Sequence, residues 1–221
     1  PITKKIVELN WSADLVEKKG YSHYMLKEIY EQPQAVASAM TPHLQTQKMQ
    51  VALHNLGFDG TSPNDLENLN SEQDWQKTLS VFKSIEKVFI IACGTSFYAG
   101  QVGKYLLESL AKIPVEVDIA SEFRYRHPVL KKNTLVVTIS QSGETADTLA
   151  AIRLAKEKGC MTLSICNVKN SSIDREAHGH MYMNSGPEIG VASTKAFVST
   201  LTVMNVFALA FAKAQGVLSV E

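Results

Sequence analysis

The residues Leu-Val-Val-Thr-Ile at positions 135–139 run directly into Ser-Gln-Ser-Gly-Glu-Thr at positions 140–145. An apolar run of this length that contains β-branched residues is typical of a strand buried inside a sheet. The apolar residues Leu149, Ile152 and Leu154 follow with the spacing of a helix. A turn rich in Ser, Gly and Thr between a strand and a helix is a common anion site, because the N–H groups of the first helical turn lack internal partners. The stretch therefore predicts a strand, an anion-binding turn and a helix, in that order.

Strands and helices alternate around this stretch, from residue 87 to near the end of the chain. The pattern predicts strands at 87–92, 115–119, 134–139 and 161–165, and a weak strand at 180–183. It predicts helices at 96–112, around Glu122, at 144–158 and at 193–214. Such alternation indicates βαβ units with right-handed crossovers. The expected fold is therefore α/β, a three-layer sandwich in which a five-stranded parallel sheet of flavodoxin-like order 2-1-3-4-5 carries helices on both faces.

The part of the chain before residue 87 shows helical patterns. Residues 21–44 are typical of a helix that Pro33 should break or restart, because proline lacks the backbone N–H group. Residues 55–70, which are rich in Gly, Pro and Asn, indicate a loop, and residues 72–86 a short amphipathic helix.

The overall composition is typical of a soluble globular protein. Of the 221 residues 45% are hydrophobic, and 22 Lys and Arg balance 22 Asp and Glu, so we expect no partner that is a nucleic acid. No apolar run reaches the roughly 18 residues that span a bilayer and no signal peptide is recognisable, so no membrane association is expected. Cys93, Cys160 and Cys166 are expected to be free thiols, which fits a cytoplasmic protein. The chain begins at Pro1, which suggests a piece of a longer protein.

A second polar turn, Cys-Gly-Thr-Ser at 93–96, follows the first predicted strand. In the expected strand order the first and third strands are neighbours, so both turns should face one crevice at the carboxyl edge of the sheet. Hydroxyl groups of Ser96, Ser140, Ser142 and Thr145 can donate hydrogen bonds there, and neither turn contains Lys or Arg. These neutral donors suit the phosphate monoester of a small molecule. The alternative, that the hydroxyls only cap helices, stays open at this point.

A third polar segment, residues 186–195, precedes the last predicted helix, with Gly190 suited to a turn and Ser193 to a helix cap. No dinucleotide or ATP-binding glycine fingerprint is present, so no cofactor is expected. His178 and His180 have strand spacing but no neighbouring cluster of acidic or Cys ligands, so no metal is expected either.

These three segments resemble the sugar isomerase (SIS) domain. Together with Lys-Glu-Ile-Tyr-Glu-Gln-Pro at 27–33 and Ala-Ser-Glu-Phe-Arg-Tyr-Arg at 120–126, they resemble more narrowly the isomerase half of the glutamine–fructose-6-phosphate aminotransferase (glucosamine-6-phosphate synthase) family. The similarity extends over residues 22–215. It implies a part of a transferase of amino-sugar biosynthesis, upstream of UDP-N-acetylglucosamine, that binds fructose 6-phosphate or glucosamine 6-phosphate.

The resemblance also implies the role of each site residue. The phosphate would be held by Ser140, Gln141, Ser142 and Thr145. Thr95 and Ser96 would contact the phosphate or the sugar hydroxyls. Val191, through its backbone, and Ser193 would contact the sugar.

The same resemblance implies a domain organisation and partners. Residues 1–20 would be a linker from a glutaminase domain, 21–86 an amino-terminal helical extension, 87–215 the first SIS domain, and 216–221 a linker to a second SIS domain. The family's base, its ring-opening His and its Schiff-base Lys all follow the first SIS domain, so the chain should bind sugar phosphate without a catalytic residue of its own. Family members are typically homodimers, so a homodimer is expected.

Several residues were weighed for other roles. Glu188 is expected to order the loop at the pocket rim and Lys195 to be solvated or paired. Arg124 and Arg126 could approach the phosphate or form ion pairs. The apolar helix at 193–214 should be buried on more than one side, by the sheet and by a second SIS domain or a partner chain. Two alternative functions remain: a regulatory module that senses a phosphosugar, and a dimerisation scaffold.

Overall fold

A computed structural model describes residues 17–45 and 50–218. Most of the two predicted terminal linkers, 1–20 and 216–221, therefore lies outside the described residues. Before the sheet the chain forms α1 (Tyr24–Tyr30), α2 (Gln32–Met40), the paired short strands β1 (Leu44–Gln45) and β2 (Gln50–Val51), and α3 (Ser71–Ser84). Pro33 lies in the first turn of α2, where a missing N–H group breaks no helical hydrogen bond. The predicted restart at Pro33 is therefore confirmed.

The central sheet has five parallel strands. In chain order they are β3 (Lys87–Ala92), β4 (Val115–Ile119), β5 (Thr134–Ser140), β6 (Met161–Cys166) and β7 (Gly179–Tyr182). Their order across the sheet is β4-β3-β5-β6-β7, which confirms the predicted flavodoxin-like order. Ala92 lies opposite Ile139 in the register of β3 and β5, so these two strands end side by side.

Five helices complete the α/β unit, and α4 is extended by a π-helical turn from Leu107 to Ala111. They are α4 (Gly94–Leu106), α5 (Ala120–Tyr125), α6 (Ala146–Glu157), α7 (Ser172–Glu176) and α8 (Lys195–Ala214). Side chains of neighbouring strand residues point to opposite faces of the sheet, so each face has its own core. Ile90 and Val137 pack towards α8 with Phe207, whereas Phe89 and Val136 pack towards α5 and α6. The predicted three-layer sandwich is confirmed.

Helix α8 lies inside the larger core, where it packs against α2, α3 and α4. By length and composition it could cross a membrane, but 67% of its most apolar window is buried within the protein. The sequence predicted that a second SIS domain or a partner chain would bury the side of α8 that faces away from the sheet. In the structure the amino-terminal helices α2 and α3 of the same chain supply a large part of that burial. The apolar composition of α8 is that of a core helix.

Candidate functional site

The 93–96 turn and the 140–145 turn follow β3 and β5, which are neighbours, so both lie at the carboxyl edge of the sheet. A shallow depression there is lined by residues from both turns, by Ser193 and by the first two turns of α8. Its lining residues are Thr95, Ser96, Gln141, Ser193, Ala196, Phe197 and Thr200. The fold thus brings together the three polar segments that the sequence singled out.

Ser140 shapes the 140–145 turn from within. It is the last residue of β5 and is buried, with 4% of its surface exposed. Its Oγ accepts a hydrogen bond from the Gly143 N–H group at 3.0 Å and lies 3.2 Å from the Thr145 Oγ1. The hydroxyl groups of Ser140 and Thr145 therefore lie together at the base of the turn, while Ser142 is exposed at its tip.

The connection between β6 and α7 supports this turn from below. Gly143 adopts a left-handed conformation with φ +67°, and its carbonyl accepts from the Ile173 N–H group at 2.9 Å. A Cβ atom at Gly143 would lie 1.8 Å from the Ser171 Oγ, so only glycine fits this close approach. The Asn167 N–H group donates to the Gln141 carbonyl at 3.2 Å. The backbone of the turn is thus held at two points by one neighbouring segment.

Glu144 adds a charged anchor to the same turn. Its Oε1 accepts from the Ser172 N–H group at 2.7 Å. Hydrogen bonds from Ser172, through its side chain and its backbone, hold the pKa of the Glu144 carboxyl below its ordinary value. Glu144 is therefore ionised at neutral pH and faces α7 rather than the depression.

The helix-capping alternative is not supported for α4, α6 or α8. The residues at the cap positions of these helices are Cys93, Thr145 and Thr194, and no side-chain cap hydrogen bond is made by any of them. The Ser142 Oγ accepts from the Glu144 N–H group at 3.2 Å, which is a local turn contact. The N–H groups at the starts of α4 and α6 are therefore not capped by these hydroxyls.

The segment before α8 is ordered by acidic side chains. Glu188 Oε1 accepts from the N–H groups of Thr194 at 2.8 Å and Ala196 at 3.4 Å, and Ser193 Oγ donates to Glu188 Oε2 at 3.3 Å. The role expected for Glu188, ordering the loop, agrees with these contacts. The predicted cap at Ser193 is wrong, because Thr194 holds the cap position and a carboxylate caps the helix instead.

Lys195 is buried and paired, and its side chain lies away from the lining of the depression. Its Nζ lies 2.8 Å from Glu31 Oε2, and 5% of its side chain is exposed. Burial raises the pKa of Glu31, but the hydrogen bond and charge of Lys195, with the charge of Lys27, outweigh it and leave that pKa below its ordinary value. The paired alternative expected for Lys195 is thus the observed one.

The comparisons with known proteins agree with this geometry. The family model of the SIS domain matches residues 82–210, which is more than half of the chain. The chain belongs to the SIS domain family.

Similar proteins narrow the comparison within the SIS family. The chain is 47% identical over 220 residues to a glutamine–fructose-6-phosphate aminotransferase (isomerizing) of Clostridium tetani, and 42% identical over 221 residues to that of Thermus thermophilus. In both cases the whole chain is aligned, but it covers only 33% of the relative. The C-terminal domain of glucosamine-fructose-6-phosphate aminotransferase from Francisella tularensis matches with a TM-score of 0.79 and 40% identity, over 93% of this chain and 51% of that one. The resemblance given on sequence motifs is confirmed.

The SIS domain places the eight predicted site residues in three groups. Thr95, Ser96, Gln141 and Ser193 line the depression. Ser140, Ser142 and Thr145 form the base and tip of the adjoining 140–145 turn. Val191 is fully exposed on the segment that leads to Ser193. Their contacts with a ligand remain predictions.

Other residues of the SIS domain were missed by sequence reasoning. Ala196, Phe197 and Thr200 complete the lining, and their helical spacing from Ser193 could have indicated this. The Asn167 side chain accepts from the Ser185 N–H group at 2.9 Å and donates to the Gly186 carbonyl at 2.8 Å. Asn167 therefore joins the 140–145 turn to the segment before α8, a contact with no signal in the local sequence.

The remaining candidates have structural partners. His178 Nδ1 accepts from the Thr162 N–H group at 3.1 Å, and His180 lies 3.0 Å from the buried Asp174. Within residues 17–45 and 50–218, no group of three or more His, Cys, Asp or Glu is placed to hold a metal ion. Arg124 pairs with Asp147 at 2.9 Å and Arg126 with Asp118 at 2.5 Å. The ion-pair alternative for the two arginines is thus the observed one.

Proposed function

We propose that this chain binds the phosphate and hydroxyl groups of fructose 6-phosphate or glucosamine 6-phosphate, as the sugar-phosphate-binding part of a glutamine–fructose-6-phosphate aminotransferase. The observation that carries the proposal is the meeting of hydroxyl and amide donors from three segments at the carboxyl edge of the sheet. The names of the relatives supply the substrate class.

The phosphate would lie at the 140–145 turn. There Ser142 presents an exposed hydroxyl, Thr145 a half-buried one, and the start of α6 adds a partial positive charge. The sugar would extend towards Thr95, Ser96 and Ser193. Neutral donors bind a phosphate dianion without the tight charge pairing that would slow its release.

Such a chain would bind its substrate without transforming it. Moving a proton between adjacent carbons needs a base with access to the substrate, and forming an imine needs a free amine. Glu188 caps α8 and Lys195 is buried against Glu31, so neither is available. In this proposal residues 87–215 are the first SIS domain and 21–86 its extension. A glutaminase domain, a second SIS domain and a homodimer partner would complete the cytoplasmic enzyme, with the end product UDP-N-acetylglucosamine further along the route.

Titration calorimetry with fructose 6-phosphate tests the proposal. Ser142→Ala should weaken binding roughly tenfold, because it removes one hydrogen bond to a charged group. Ser62→Ala is the matched control: its Oγ accepts from the N–H group two residues ahead, as that of Ser142 does, but at 3.4 Å in an unrelated exposed turn. The control should bind like the wild type.

Two outcomes separate this proposal from its alternatives. If neither hexose phosphate binds at millimolar concentration, the proposal fails and the dimerisation scaffold remains. If binding occurs, an isomerisation assay on this chain should show no turnover. Measurable turnover would contradict the assignment of Glu188 and Lys195 to structural roles. A phosphosugar-sensing module would also bind without turnover. Adding the remaining aminotransferase domains separates the two functions, because activity should appear only if this chain is part of the aminotransferase.

A further inference from the structure

A buried carboxylate from the amino-terminal helices reaches the segment before α8. Glu28, in α1, has 2% of its surface exposed. Its Oε1 accepts from the Ile189 N–H group at 2.6 Å and from the Gly190 N–H group at 3.1 Å, and its Oε2 lies 3.1 Å from the same Gly190 nitrogen. Both oxygens of one side chain thus engage two consecutive N–H groups that lie 161 and 162 residues further along the chain.

The fit at this contact leaves no spare room. A Cβ atom on Gly190 would lie 2.5 Å from Glu28 Oε2 and 3.4 Å from the Met25 Cα. No positive φ explains the glycine at this position, so the close approach of the carboxylate is the reason for it. Val191 and Ser193, the residues assigned to the sugar, follow immediately.

We propose that Glu28 is a positioning residue for the sugar end of the site, so that the amino-terminal helices form part of the substrate-binding structure. The proposal rests on the proposed function. Glu28 holds residues 189–190, and Glu188 holds residues 193–196, so the intervening Val191 is fixed from both sides although its side chain is fully exposed. The 140–145 turn is anchored separately, to residues 167–173.

This division makes a selective prediction. Glu28→Gln keeps the size of the side chain but replaces one acceptor oxygen with an NH2 group, which would face a backbone N–H donor. The segment at 189–191 should shift, and the 140–145 turn should not. The affinity for fructose 6-phosphate should fall roughly tenfold, whereas the affinity for inorganic phosphate should change less than about twofold.

The chain offers a matched control in Asp74. It is also a buried carboxylate, 4% exposed, and it accepts from two consecutive N–H groups, those of Leu56 and Gly57, each at 3.0 Å. None of these residues lines the depression. Asp74→Asn should therefore lower the stability of the fold, as Glu28→Gln does, but leave the ratio of the two affinities unchanged.

Calorimetry or phosphorus NMR titration of the whole chain gives both affinities. A selective loss of fructose 6-phosphate binding in Glu28→Gln, absent in Asp74→Asn, supports the proposal. Equal losses for both ligands, or no loss, overturn it. Gly190→Ala disrupts the same contact from the other side, because its Cβ would lie 2.5 Å from Glu28 Oε2, and it should show the same selective loss. This variant provides the test in case Glu28→Gln does not fold. If the wild type binds neither ligand, the proposed function has failed instead, so the two failures are distinguishable.

Discussion

Gly143 offers a quantitative test of the 140–145 turn. Its φ of +67° lies in the left-handed region, and an added Cβ would lie 1.8 Å from the Ser171 Oγ and 2.4 Å from the Ser171 Cβ. In Gly143→Ala the left-handed backbone costs about 1 kcal/mol. The overlap costs about 1 to 3 kcal/mol more, because atoms must move apart by about 1.5 Å to reach ordinary contact. We expect the free energy of unfolding to fall by about 2 to 4 kcal/mol.

Gly216→Ala isolates the backbone part of this cost. Gly216 has φ +70°, close to that of Gly143, but a Cβ there would have no atom within 4 Å. It should cost about 1 kcal/mol only. Urea denaturation of both variants measures the difference, and titration with fructose 6-phosphate should show a loss of affinity in Gly143→Ala alone.

A second substitution tests the cause of the overlap. Ser171→Gly removes both atoms that the new Cβ would meet, and the next atom, the Cys166 Sγ, would lie at an ordinary 3.5 Å. In the double variant the steric part of the cost should largely disappear, which a double-mutant cycle measures as a coupling of about 1 to 3 kcal/mol. If Gly143→Ala costs no more than Gly216→Ala, or if Ser171→Gly restores nothing, the described packing beneath the turn is wrong.

Two further predictions concern stability. Burial, with the charge of His54, lowers the pKa of His43 from 6.5 to about 4, so the unfolded state binds the proton more tightly between these values and stability falls as pH drops from 6.5 towards 4. Between pH 7 and pH 5 this group alone should remove about 2 kcal/mol, and a urea series on His43→Leu should lack that part; an unchanged pH dependence would contradict the burial of a neutral ring. Asn167→Ala removes the side-chain hydrogen bonds to Ser185 and Gly186 and should cost about 2 kcal/mol in the same assay. A loss within about 0.5 kcal/mol, typical of surface positions, would show that this bridge does not hold the two segments together.

The sheet was predictable because each strand is a short apolar run flanked by turn residues. The predicted bounds of β3 and β4 match the structure, and β5 and β6 each extend one residue further. Helix starts were less well predicted. Helix α6 begins at Ala146 rather than residue 144, because Gly143 is left-handed and the Glu144 carboxylate is bound to Ser172.

For the candidate site, the sequence could predict which segments lie together only where the order of the strands places them side by side. Neighbouring strand ends must place their following turns together, so the 93–96 and 140–145 turns could be joined from sequence. Glu28 could not be assigned a role in this way. Its stretch at 27–33 carried the family resemblance, but a contact between residues 161 positions apart depends on how α1 packs, which local patterns do not encode.

The two ends of the candidate site differ in how they are held. The 140–145 turn is fixed by hydrogen bonds from residues 167–173, which belong to the α/β unit itself. The segment before α8 is fixed by carboxylates, and one of them, Glu28, comes from outside that unit. Donors held in place before a ligand arrives lose little entropy on binding. Under the two proposals above, the contacts to the phosphate come from the α/β unit, whereas the placement of the sugar also depends on the amino-terminal helices through Glu28. The Asn167 side chain, bonded to Ser185 and Gly186, connects the two ends of the site.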